Sequence, residues 1–218
     1  MALSFPLARA AFFDLLPIAA QSFDLPEAVE VSRTGGGVLI GADVADRLWQ
    51  GTIRLGRMTV AEARPALALI NALRGPGRGF LLADAHRLWP QADPGGLIVA
   101  GFSPAISAVA GDLRTLSLSG LPAGYVLSPG DLIGWSHGAA PVRHALHEIV
   151  SGGTASGAGA LAALELTPAL RPGTATGTPV SLVRPVCEAV IVPGSVNPGN
   201  QSRLILDNAG FDWRQTLR

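Results

Sequence analysis

Short apolar runs, each closed at both ends by Gly, Pro, Ser or Asn, recur along this sequence and restrict its fold more than any other feature. Trp49, Gly51, Ile53 and Leu55 alternate with Gln50, Thr52, Arg54 and Gly56, the period of two that puts one face of a strand in a core. Residues 28–32 and 38–42 flank a Thr34-Gly35-Gly36-Gly37 turn and read as a hairpin. Further β-type runs are predicted at 97–100, 113–118, 131–135, 142–150, 160–166, 180–183 and 189–192. Many short strands with turn chemistry between them imply a mainly β protein built as a sandwich or barrel.

One segment departs from this pattern. Over 59–73, Val60, Ala63, Leu67, Ile70 and Leu73 share a helical face. Thr59 and Glu62 have the spacing of a capping box, and Gly75-Pro76 supplies the stop. Pro65 lies too deep for a first-turn proline, so the expectation is a helix that starts later or kinks there. This single helix is expected to lie across a sheet.

The chain divides into two units on this reading. Residues 96–196 carry strand after strand without a helix and read as an inserted domain. Residues 1–95 with 197–218 form the other, completed by a terminal strand around Phe211-Asp212-Trp213. The Gly/Ser/Ala-rich stretch 151–160 is expected to be a loop too small to pack. The opening, 1–23, has an apolar stretch interrupted by Arg9, Asp14 and Pro17, and reads as a short helix or first strand and not as a signal peptide. No run reaches the roughly 18–20 apolar residues that span a bilayer.

Composition narrows the chemistry. The 218 residues carry 16 basic and 16 acidic side chains, and every basic one is arginine. Without lysine there is no Schiff-base or P-loop chemistry, and the Gly-rich stretches 35–37 and 152–159 are not phosphate cradles. Zero net charge with no basic block argues against affinity for nucleic acid by phosphate neutralisation. The lone Cys187 excludes an internal disulfide and a multi-cysteine metal site. A charged fraction of 15% and a mean hydropathy of +0.37 suit a subunit whose neighbours cover part of its surface.

Three constellations are candidates for a site. Gly134-Trp135-Ser136-His137-Gly138 matches the G-x-S-x-G nucleophile elbow, but no histidine follows His147 and no helix pattern follows Gly138. His137, His144 and His147 lie close together, yet on a strand His144 and His147 face opposite sides, which argues against a shared metal. Asp84 and Asp93 are a possible carboxylate pair, better read as turn residues. Trp49, Trp89, Trp135 and Trp213 read as core or interface anchors. No catalytic residue, cofactor or metal is therefore assigned, and the chain is not expected to be an enzyme.

In sequence order, the chain resembles tail proteins of siphovirus-like phages and gene transfer agents. The resemblance rests on Leu15-Leu16-Pro17-Ile18, Arg47-Leu48-Trp49-Gln50-Gly51, and Glu62-Ala63 leading to Leu73-Arg74-Gly75 and Gly79-Phe80. It continues through Trp89-Pro90, Asp93-Pro94-Gly95-Gly96, Gly120-Leu121-Pro122-Ala123-Gly124-Tyr125, Leu127-Ser128-Pro129-Gly130-Asp131, Glu165-Leu166-Thr167-Pro168 and Arg184-Pro185. It is strongest to the distal tail protein of the baseplate. That resemblance implies a tail-tube-like β-sandwich with one flanking helix and an inserted β-barrel or galectin-like domain. It also implies a hexameric ring at the virion's tail tip, assembled in the bacterial host cytoplasm. The partners would be the tail tube protein and the baseplate hub protein, with DNA passing through the channel without specific binding and no membrane involved.

Within the connector 83–96, Trp89 and Pro90 are the expected subunit contact. Residues 1–48 hold six acids against three arginines, so any part of them lining a channel would repel passing DNA. The alternative from a different class is a glycan-binding, lectin-like module, or a weak serine hydrolase using Ser136.

Overall fold

The structure, a computed structural model, describes residues 3–217; Met1, Ala2 and Arg218, at the ends of the segments 1–95 and 197–218, lie outside the described residues. The chain is mainly β, with 38% strand and 11% helix arranged around two half-barrel sheets. After two 3-10 turns, Arg9–Ala11 and Phe13–Leu15, come β1 (Ile18–Gln21), β2 (Val29–Arg33), β3 (Leu39–Asp43), β4 (Gln50–Leu55) and β5 (Met58–Thr59). Helix α1 (Val60–Leu73) precedes β6 (Phe80–Leu82), β7 (Ala105–Val109), β8 (Thr115–Ser119) and β9 (Val126–Leu127). Next are β10 (Leu132–His137), β11 (Arg143–Ser151), β12 (Gly153–Thr154) and β13 (Leu161–Thr167). The last strands are β14 (Cys187–Ile191), β15 (Asn200–Gln201), β16 (Ile205–Asp207) and β17 (Gly210–Gln215).

The first sheet is antiparallel in the order β1-β4-β17-β14-β6, so the C-terminal strand lies at its centre. It curls until its edges approach. Gln21, on edge strand β1, donates from Nε2 to the Ala83 carbonyl (3.1 Å) and accepts the Ala85 N–H at Oε1 (2.8 Å), just beyond the opposite edge. The chain around Leu7 covers β6: Leu7 N–H donates to Gly79 and Leu81 N–H to Leu7, both at 2.9 Å. An edge that would otherwise template foreign strands is thereby occupied.

The second sheet has the order β10-β11-β13-β8-β7. The 180–183 run, expected to be a full strand, instead forms isolated bridges that close this sheet. On one side Ile106 N–H donates to Thr178 (3.0 Å) and Val180 N–H to Pro104 (2.9 Å); on the other, Gly134 and Ser181 exchange bonds of 3.0 and 2.7 Å. Proline at 179 has no N–H to offer a regular ladder, which keeps the strap short.

Three further expectations are corrected. Residues 97–100 turn into a 3-10 helix (Val99–Gly101), because the buried Asp93 carboxylate accepts the N–H groups of Ile98 and Val99. The 151–160 stretch does pack: β12 pairs with β9 and Ala155 is buried. Gly159 there has φ +72°, and a Cβ would sit 2.2 Å from the Leu121 carbonyl oxygen, so the glycine is used for close approach. Helix α1 starts directly at Val60, with both halves of the Thr59/Glu62 capping box formed, and runs through Pro65 to Leu73.

Two apolar cores result. One is wrapped by the first sheet and α1, with Phe12, Trp49, Ile53, Ile70, Phe80 and Trp213 almost wholly buried. The other fills the second sheet with Ile106, Leu116, Leu118, Leu127, Ile133 and Ile149. Residues 187–191 belong to the first: β14 pairs with β17 and β6, and Cys187, Ala189 and Ile191 enter that core. Leu132 and Leu146 of β10 and β11 also face the first core, and Trp49 Nε1 donates to the Leu146 carbonyl (2.9 Å), so the two sheets share a packed boundary.

Candidate functional site

The β2–β3 hairpin stands apart from both cores. Its five-pair register runs from Val29 opposite Asp43 to Arg33 opposite Leu39, and every residue in both strands is exposed. The turn is closed by Thr34, whose hydroxyl accepts the Val38 N–H (3.1 Å). Val29, Val31, Val38, Leu39, Ile40 and Val44 are all large, apolar and exposed. A two-stranded ribbon is marginal in water by itself, and this one places its β-branched residues where nothing in its own chain covers them. The Thr34-Gly35-Gly36-Gly37 turn between two β-type runs located the hairpin in sequence; the complete exposure of both faces was not legible.

The connector bearing Trp89 and Pro90 is held by three buried aspartates. Asp84 accepts from the His86 N–H (2.9 Å) and from Arg87 Nε (2.6 Å), and Arg87 Nη1 reaches Glu148 on β11 (2.9 Å). Asp131 accepts the N–H groups of Gln91 (2.9 Å) and Ser128 (2.8 Å). Asp93 accepts from Ile98, Val99 and the Tyr125 hydroxyl (3.0 Å). Burial opposes the charge on Asp93, but these donors outweigh it and hold its pKa below the usual carboxylate range. Asp84 and Asp93 are thus each engaged by structural donors. Pro90 is buried under this network while Trp89 is 40% exposed, with Leu97, Ile98 and Phe102 exposed further along the same segment. Trp49, Trp135 and Trp213 are core residues.

The G-x-S-x-G serine lies on a regular strand. Ser136 is the direct cross-strand partner of His144, and Ser136 Oγ lies 3.1 Å from His144 Nδ1. The missing histidine beyond His147 argued against the elbow's usual order, but antiparallel pairing of β10 with β11 brings together this serine and a histidine only eight residues on. None of the ion pairs among the described residues includes a histidine. His147 projects to the opposite face of β11, stacks on Trp135 (4.7 Å between centroids, 10° between planes) and donates from Nδ1 to the Pro168 carbonyl (2.8 Å). Burial lowers its pKa to about 4, so it is neutral at pH 7. Among the described residues no group of three or more His, Cys, Asp or Glu is arranged to hold a metal ion, and no helix is long and apolar enough to cross a membrane.

No protein-family model matches this chain, and no curated protein is detectably similar to it.

Proposed function

We propose that this chain is a structural virion subunit: a distal tail protein whose copies form a ring, six in number, between the tail tube and the baseplate hub. The tail assignment rests on the ordered sequence resemblance; the observation that carries ring formation is the wholly exposed, apolar β2–β3 arm. An arm of this kind is stabilised by docking on a neighbouring copy, which converts its apolar residues from exposed to buried surface. The solvent-accessible surface supports the same reading. It is 11484 Å², about a fifth more than the roughly 9,400 Å² expected of a monomer of this mass. In this reading the first sheet with α1 is the tail-tube-like unit, and the second sheet is the inserted galectin-like domain. The acidic bias of the first 48 residues keeps DNA moving through the channel without binding it.

Light scattering on the purified chain is expected to give a closed oligomer, and labelled antibody is expected to mark the tail tip of particles. A monomer at all concentrations, with no label on particles, overturns the proposal. Trp89→Ala is expected to weaken the oligomer while leaving the fold intact.

The 3.1 Å contact between Ser136 and His144 favours a second reading, a weak serine hydrolase. Ester turnover by the parent chain that disappears in Ser136→Ala supports it; equal background in both removes it. The glycan-binding form of this alternative is decided by a glycan array.

A further inference from the structure

A separate cavity of about 210 Å³ lies between the turn end of the β10–β11 hairpin, the 168–174 loop and the end of β17. Its titratable wall is entirely basic: His137, Arg143, His144, His147 and Arg171, with no Asp or Glu among the described lining residues. Among the described residues, Arg143 donates from Nε to the Leu217 carbonyl (3.1 Å). Arg171 is half-buried, and its one ion pair among the described residues is a long one, 3.6 Å from Nε to an Asp46 that is 69% exposed. The buried Nδ1 of His137 has no hydrogen-bond partner among the described residues. Thr174 and Gln215 add polar groups to the same wall. Arg143, exposed, and Arg171, half-buried, thus share one wall with no Asp or Glu among its described lining residues, which leaves guanidinium donors to attract an anion.

We propose that this cavity binds a phosphate group, presented as inorganic phosphate or a small phosphomonoester. Its volume is below the roughly 300–1,000 Å³ of pockets for drug-sized ligands, which limits the occupant to one small group. Two guanidinium forks and an imidazole supply more donors than the two oxygens of a carboxylate accept, and match the several oxygens of phosphate. Burial, and then the nearby Arg143 and Arg171, lower the His137 pKa, consistent with both cations acting on the same small space. An anion there would reverse that effect and favour the His137 imidazolium as a further donor. This assignment is independent of ring assembly.

Calorimetric titration of the full chain with inorganic phosphate, and separately with glycerol phosphate, at constant ionic strength tests it. Saturable one-to-one binding is expected, weakened at least tenfold in Arg171→Gln and in Arg143→Gln. Because Arg171 also touches Asp46 and the Arg47 carbonyl, His137→Asn serves as a milder variant, expected to weaken binding at least threefold. The melting temperature of the parent chain should rise in phosphate relative to chloride at equal ionic strength. Uptake of both ligands assigns a phosphomonoester site, and uptake of phosphate alone a free-anion site; either upholds the proposal. No saturable binding, or equal affinity in the parent and all three variants, overturns it.

Discussion

His147 illustrates how one buried residue sets a pH response. Its folded pKa of about 4 lies below the ordinary histidine value, because burial disfavours the charge. Between about pH 6.5 and 4 the unfolded chain therefore binds more protons than the folded one, and stability falls as pH falls through that window. The shift corresponds to roughly 3 kcal/mol. His137 and His144 are also lowered, chiefly by burial, and act with the same sign. His147→Phe keeps the stack on Trp135 but leaves the Pro168 carbonyl without its donor, a loss of about 1–3 kcal/mol at pH 7. Urea denaturation at pH 7 and pH 4.5 should show a smaller stability difference between the two conditions in the variant than in the parent.

At the scale of elements, α1 is stabilised at its start and weakened in its interior. The Thr59/Glu62 box satisfies the Glu62 and Thr59 N–H groups at 3.3 and 2.9 Å, so Thr59→Ala is expected to cost about 1 kcal/mol. Pro65 removes the bond that residue 65 would donate to the Ala61 carbonyl, and its exposure means no packing compensates. Pro65→Ala should stabilise the chain by about 1–3 kcal/mol, raising the melting temperature by several degrees in a thermal scan. The β2–β3 arm behaves in the opposite way, since it is coupled to no core. Replacing 29–43 by a short Gly/Ser linker is expected to leave the melting temperature of the monomer nearly unchanged and to abolish the oligomer in light scattering. A normal ring without the arm would show that other surfaces hold the copies together.

Across the whole molecule, a partly buried ion-pair cluster helps join the two sheets. Arg87 bridges Asp84, beyond β6, and Glu148 on β11, and its guanidinium lies 5.9 Å from the ring centroids of both Phe23 and Trp49. Desolvation works against its charge, but the two carboxylates outweigh this and hold its pKa up. Removing it leaves Asp84 buried without its cation, so Arg87→Met is expected to cost about 2 kcal/mol after allowance for partial exposure. Hydrogen exchange should then rise first along the boundary between β11 and the connector. Much of this architecture was written locally. The alternation of Trp49 to Leu55, the Thr59/Glu62 cap and the turn glycines each act over a few residues, and so were legible in the sequence as strand, helix start and hairpin. Other features depend on which distant strands become neighbours. The strap at 177–181 closes a sheet only because Ile106 and Gly134 lie at its two edges; Ser136 meets His144 only through β10–β11 register; and the cationic cavity draws its wall from β10, β11, a loop and β17. The recurrent short runs, with the one capped amphipathic segment, by themselves determined that this protein would be mainly β with one α-helix, because strand period, helix period and turn chemistry are local properties. Tertiary structure alone decided where the sheets close, which apolar hairpin is left uncovered and where the basic side chains converge, because those outcomes depend on pairings between distant segments that no local pattern encodes.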